Sequence, residues 1–422
     1  MRFAGWRGAA GKGEWHGFCT NSVAQAAGGL APRLGFCNAQ RGSSRMHLTL
    51  SIAGHGHHPA AWRVSSPAAQ AGGLPRYDAP ALRAQAGLLD AVFFVPPARD
   101  EVPGDGASDT LNPDALPLIG SLVARTGHLG LGASVPVAYT EPFHTARAFS
   151  VLDNLSAGRA AWLVDLRGAG RADPRHAHVA QLDAQGHYER AREYIEVAMQ
   201  LWDSWEDEAV VADKAAGVYA DSDRIHPIHH AGKYFTVRGP LTAVRPRQGH
   251  PVIVMDDMSE QGRGLAAAFA DVVLASCGAP GEAAALAADL RSRAAACGRT
   301  AGSPRVLATV SPILAGSDEA AAERARQLDA LAGPDAPGLP GLRYVGTPAG
   351  LADLMAEWHA VGACDGFNVA PPVLAEDLDT LAGAVLPLLQ QRGLFRTAYE
   401  GASLREHLGL ARPLNRYSRK AA

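Results

Sequence analysis

Eight short apolar runs, separated by longer Ala-, Leu- and Arg-rich segments of helical spacing, constrain this chain more than any other feature. They lie near His47–Ala53, Ala91–Val95, Leu129–Val137, Ala160–Leu166, Pro251–Met255, Asp271–Ser276, Val306–Leu314 and Gly366–Val369. Strand runs that are apolar throughout belong to a parallel sheet covered on its outer face, and a helix after each strand supplies that cover. Eight such units are the number that closes a barrel, and 422 residues hold one with insertions. An open doubly wound sheet is the rival, but no glycine fingerprint opens a helix after the first run. The fold class expected is α/β, a (β/α)8 TIM barrel with insertions, spanning 46–422.

The first 45 residues, 1–45, read differently. They are rich in Gly, Ala and Arg, hold Glu14 as their one acid and show no hydrophobic period, so a disordered extension is expected there. Met46 opens a clean strand, which makes an overlong start the plainer reading and a transit-like leader the other. Gly11-Lys12-Gly13 lacks the Ser/Thr and the preceding strand of a phosphate loop. Between the fourth and fifth runs, an amphipathic helix from Tyr188 through Val197 to Trp202 precedes a polar segment reaching Pro240. A second stretch, Gly333 to Gly341, holds too much Pro and Gly for regular structure. On a barrel, loops after strands gather at the catalytic face, so both are candidate pocket covers or tolerated surface insertions.

Composition removes several classes of function. Lys+Arg 39 against Asp+Glu 42 leave a net charge of −3 with no basic cluster, which argues against nucleic acid. Every apolar stretch is broken before bilayer-spanning length, so no membrane span is expected. Cys19, Cys37, Cys277, Cys297 and Cys364 are odd in number and show no CxxC spacing, which fits a reducing cytoplasm better than a disulfide framework. No nucleophile elbow is present, and no cysteine adjoins a histidine. His55, His57 and His58 have no carboxylate or thiolate at ligand spacing, so no metal is expected. They are read instead as lining the barrel mouth, with Trp62 and Arg63 placed to stack on a planar ligand or simply to cap the barrel. His226, His229 and His230 read as a solvated loop.

One strand-to-helix junction stands out, Pro251 to Met255 followed by Asp256-Asp257-Met258-Ser259-Glu260-Gln261-Gly262-Arg263. A helix N-terminus there offers unpaired amides and partial positive charge, so Ser259, Gly262 and Arg263 are candidate phosphate contacts. Ordinary N-capping by Asp257 or Ser259 explains the same residues, and two adjacent acids oppose an anion.

From Met46 to Tyr417 the chain resembles the FMN-dependent monooxygenases of the bacterial-luciferase-like superfamily, specifically the nitrilotriacetate and dibenzothiophene-sulfone monooxygenase group. The motifs carrying the resemblance are Gly56-His57-His58 with Trp62-Arg63, His128 to Ala133, Tyr139 to Arg147, Leu152 to Ala160 and the Tyr188–Val197 helix running into Trp205. Asp365 to Val369 with Pro371-Pro372, Arg392 to Arg396, Leu404 to Leu410 and Asn415-Arg416-Tyr417 complete it.

The resemblance implies a barrel that binds reduced FMN delivered by a separate flavin reductase and uses dioxygen to oxygenate a small organic substrate, in a homo-oligomer. It places Tyr188 and Ser259 on the FMN phosphate, and Trp62, Tyr139 and His57 along the ring or substrate site; it identifies no general base. Other flavin positions depart from the family. Its Asp after the second strand falls at Pro96, its Ser/Thr after the third at Pro136 or Val137, its Asn after the fourth strand's Trp at Leu163, and its His before the Tyr at Ala184. Around Ser259 the usual Gln-Ala-Gly-Ser-Ser reads Met255-Asp256-Asp257-Met258-Ser259. Two alternatives therefore stand beside FMN: a deazaflavin enzyme, and a catalytically silent homologue, without a cofactor, acting as a binding or partner subunit.

Overall fold

All eight apolar runs form strands in the computed structural model, which describes residues 45–65, 77–96, 114–166, 179, 181–299 and 304–418. These fall within the unit Ser44–Ala422; the expected extension, apart from Arg45, lies outside the described residues. The strands are β1 (His47–Ile52), β2 (Ala91–Phe94), β3 (Gly130–Pro136), β4 (Ala160–Asp165), β5 (Val252–Met255), β6 (Val272–Ala275), β7 (Arg305–Leu314) and β8 (Gly366–Val369). Each pairs in parallel with the next, and β1 closes the cylinder on β8 through His47↔Gly366 to Leu50↔Val369. The chain is a closed eight-stranded (β/α) barrel. A further strand, Leu342–Gly346, lies against the upper half of β7; the sequence reading had no strand there.

Alternation along the strands sorts the side chains. Ala91, Phe93, Ala161, Leu163, Val252, Val254, Val272, Leu274 and Leu307 form the lower interior, joined from below by Leu404 and Leu408 of the C-terminal segment. Gly130 and Gly132 make this packing possible. A Cβ on Gly130 would lie 2.6 Å from Leu404, and one on Gly132 2.4 Å from the Phe93 ring. Above this plug a polar layer crosses the barrel. The Thr49 and Ser51 hydroxyls donate to Asn368 Oδ1 at 3.0 and 3.1 Å, and the Asn368 amide donates toward Thr309 Oγ1 at 3.4 Å. Buried polar groups satisfied this way fix one register.

Outside the barrel, the helix Ala184–Asp203 buries Tyr194, Ile195, Leu201 and Trp202 against β4's Trp162. The Thr140 and Thr145 hydroxyls bond the Tyr194 phenol at 2.7 and 2.6 Å, tying this helix to the junction after β3. The polar segment after it contains two small hairpins, Val210–Asp213 with Val218–Ala220 and His230–Ala231 with Thr236–Val237. The second is anchored by Glu193, whose carboxylate accepts from the Tyr234 and Phe235 amides and from His230. His226, His229 and His230 thus sit in an ordered insertion: His226 bonds Glu206 at 2.7 Å and stacks on Tyr417.

Candidate functional site at the barrel mouth

The C-terminal ends of the strands form the mouth, where barrel enzymes assemble their sites. Two residues 71 apart in sequence meet there: Tyr188, in the first turns of the Ala184–Asp203 helix, and Ser259, N-cap of the helix Glu260–Phe269, with Oη and Oγ 2.8 Å apart. Ser259 Oγ also accepts from the Gly262 amide at 3.0 Å, the ordinary capping bond. Between them stands a group the sequence offered as an N-cap candidate or an opposing charge. The Asp257 carboxylate accepts the Tyr188 hydroxyl on Oδ2 at 2.5 Å and the Ser259 amide on Oδ1 at 2.9 Å. Burial and this carboxylate push the Tyr188 phenol above its ordinary value, so it stays a donor.

Gly262 is covered by the same residue. A Cβ there would fall 2.4 Å from the Asp257 carbonyl oxygen and 2.5 Å from its carboxyl carbon. Arg263 turns elsewhere: its guanidinium pairs with Glu260 at 2.8 Å and Asp289 at 3.4 Å, on the side facing the helix Pro280–Ala296.

Beside Tyr188 opens a slot of about 210 Å³ lined by Val137, Ala138, Leu166, Val179, Ala184, His187, Tyr188 and Arg190. That is below the ~300–1,000 Å³ of a complete ligand pocket, so the slot takes part of a ligand. Arg190 forms its buried wall, donating to the Val137 carbonyl at 2.5 Å and lying 4.7 Å from the Phe235 ring centre. Sequence reasoning missed Arg190, because only the fold brings a helical arginine to the end of β3.

His57 lies just beyond β1, its Nε2 bonded to the Ser51 carbonyl at 3.1 Å. Burial drives its pKa down to about 4, so the ring is a neutral imidazole donating through Nε2. Trp62 sits half-buried on the short helix Ala61–Val64, and Tyr139 half-buried after β3. Neither stands among the residues lining the slot. The structure therefore brings Tyr188, Ser259 and Gly262 together and turns the Arg263 side chain to Glu260 and Asp289.

The departures from the family pattern have clear places. Leu163 belongs to the apolar plug, Pro136 ends β3 opposite Asp165, Pro96 follows β2, and Ala184 lines the slot. Asp165 faces inward, two residues above Leu163, and accepts from Ser134 at 3.3 Å. Leu163 pairs with Val254, so the same register sets Asp165 level with Asp256. Three carboxylates thus mark the ends of β4 and β5. Among the described residues, no group of three or more His, Cys, Asp or Glu is arranged to hold a metal ion.

Other motif residues serve the scaffold. The buried Arg159 guanidinium is satisfied by the carbonyls of Ser156, Leu129 and Thr126, and Asp153 binds the Gln248 backbone and side chain at 3.0 and 2.6 Å.

Does the mouth fit a flavin mononucleotide? The slot offers an apolar wall with a polar edge. The phosphate end does not fit as it stands, because Tyr188 and the Ser259 amide already serve the Asp257 carboxylate, and the space over Gly262 is filled.

A barrel with this mouth belongs to the enzymes that work at the ends of their strands, and the comparisons define which. The family described as luciferase-like monooxygenase matches residues 99–344, and the chain belongs to it. It is 32% identical to the N-acetyl-S-(2-succino)cysteine monooxygenase of Bacillus subtilis (strain 168), covering 89% of this chain and 99% of that one. It is 35% identical to nitrilotriacetate monooxygenase component A of Aminobacter aminovorans, over 71% of this chain and 79% of that one. Among solved structures, the EDTA monooxygenase of Chelativorans sp. BNC1 superposes with a TM-score of 0.77 at 25% identity, covering 87% and 99% of the two chains.

Proposed function

We propose that the chain is the oxygenase of a two-component monooxygenase, taking a reduced flavin from a separate reductase and dioxygen as its oxidant. In such a reaction the flavin gives two electrons, one oxygen atom enters the substrate and the other leaves as water. The observation that carries this reading is the convergence of Tyr188 and Ser259 at 2.8 Å, since these are the two positions at which the family resemblance places flavin contacts. A relative designated component A supports a separate reductase. The family's cofactor is reduced FMN. The protein's own contribution is positional: Arg190 fixes the Val137–Ala138 wall, and the apolar plug closes the barrel below the site, keeping water from entering through its floor.

The substrate proposed is a small neutral or cationic organic molecule. The Asp257 carboxylate beside the slot disfavours a polycarboxylate. Among the described residues no helix is long and apolar enough to cross a membrane. Cys277, Cys297 and Cys364 carry free thiols, and we place the protein in the reducing cytoplasm.

The test is turnover under ¹⁸O₂ with a generic flavin reductase, NADH and a panel of amines, thioethers and polycarboxylates. One labelled oxygen in products from neutral or cationic members is the expected result. Hydrogen peroxide as the sole product across the panel would refute it.

A further inference from the structure

We propose that Asp257 is a built-in anion occupying the seat of the flavin's terminal phosphate, so that the mouth takes a flavin by its ring and ribityl chain and selects riboflavin over FMN. The inference rests on the flavin reading above and narrows it.

Three observations converge on one carboxylate. Its Oδ2 accepts the Tyr188 hydroxyl at 2.5 Å and its Oδ1 the Ser259 amide at 2.9 Å. The Asp257 carboxyl group also lies over Gly262, its carbon 2.5 Å from where a Cβ there would stand, alongside the backbone carbonyl oxygen at 2.4 Å. The Gly262 amide, in the first turn of the Glu260–Phe269 helix, is engaged by Ser259 Oγ. A phosphate entering here would find the Tyr188 hydroxyl and the Ser259 and Gly262 amides already engaged and would face a carboxylate and the neighbouring Asp256.

The residue identity points the same way. In the family pattern Gln-Ala-Gly-Ser-Ser, the place of Asp257 is the glycine, which has no side chain. Replacing it with aspartate adds one carboxylate at the helix N-terminus, where the dipole and the free amides favour a negative charge. The chain supplies from its own backbone the anion that the cofactor would otherwise bring. The slot lined by Val137, Ala138, Leu166 and Tyr188 opens beside this carboxylate and stays available to an uncharged ring.

The experiment compares riboflavin and FMN by fluorescence quenching, and inorganic phosphate by ³¹P line broadening, on the full chain and on Asp257→Gly, which restores the family residue. Asp257→Ser is the second variant, should glycine loosen the turn. The full chain should bind riboflavin at least as tightly as FMN and leave the phosphate line sharp. Either variant should gain tenfold or more for FMN relative to riboflavin and broaden the phosphate line. A tenfold preference of the unaltered chain for FMN, or phosphate binding by it in the low millimolar range, would overturn the assignment. So would variants that leave the flavin ratio and the phosphate line unchanged. If no protein binds either flavin, the flavin reading itself falls, and the phosphate titration alone decides the role of Asp257.

Discussion

Arg405 and Asp271, 134 residues apart, meet through two parallel hydrogen bonds of 3.1 and 2.7 Å. The same guanidinium donates through Nε to the His250 carbonyl at 3.0 Å. It pins the short helix Leu404–His407, which brings Leu404 to the barrel floor, to the foot of β6. A bidentate, nearly buried pair loses most when one partner is deleted, because the other charge is left uncompensated. Arg405→Ala should therefore cost about 3–5 kcal/mol in guanidinium unfolding. A loss within ~0.5 kcal/mol, the level of ordinary surface changes, would show that the tail does not clamp the barrel.

The slot wall provides a second prediction. Arg190 joins the end of β3 to the insertion through the Val137 carbonyl and the Phe235 ring, and burial lowers its affinity for a proton. Arg190→Ala removes both links and should weaken flavin binding at least tenfold while costing about 2–4 kcal/mol of stability. Equal flavin affinity in the variant, measured by quenching, would remove Arg190 from the wall.

Asn368 offers a test inside the barrel. Its amide serves Ser51 Oγ at 3.0 Å while its carbonyl accepts from Thr49 and Ser51. Asn368→Ala leaves these buried hydroxyls short of partners, at a cost of about 1–3 kcal/mol. Asn368→Asp should cost more, because a carboxylate cannot donate toward Ser51 or Thr309 and carries charge into the interior. The order of the two melting temperatures is the readout, and the reverse order would contradict the network.

His57 makes stability depend on pH with a defined sign. Its folded pKa is about 4 against 6.5 for the free ring. Between those values the unfolded chain holds a proton that the folded chain does not, so folding stability falls as pH drops from 6.5 toward 4. Above 6.5 the contribution is flat. Its size is at most about 3 kcal/mol. His57→Gln keeps a donor for the Ser51 carbonyl and should flatten that part of the stability curve; an unchanged slope between pH 4 and 6.5 would mean the ring is solvated.

Sequence alone showed the barrel and little of its mouth. β5 and β6 were legible because Val252–Met255 and Val272–Ala275 are short, wholly apolar and bounded by polar or helix-forming residues, a pattern that local physics enforces. The strand Leu342–Gly346 was not, since Leu-Arg-Tyr-Val-Gly is half-exposed and pairs only along the upper part of β7. The N-capping role of Ser259 could be read from its place before Glu260. Asp257 could be seen as an unfavourable charge, yet its bond to Tyr188 spans 69 residues, and no local pattern encodes a contact that exists only once β4, β5 and their helices stand side by side. The same holds for Arg190, whose helical spacing shows a buried face but not the carbonyl it meets.

The central claim is that this mouth holds a reduced flavin. Anaerobic titration of the full chain with photoreduced riboflavin and FMN, followed by flavin fluorescence anisotropy, addresses it most directly. Saturable binding of at least one reduced flavin in the micromolar range is the expected result. No anisotropy change with either flavin up to millimolar concentration would contradict the account.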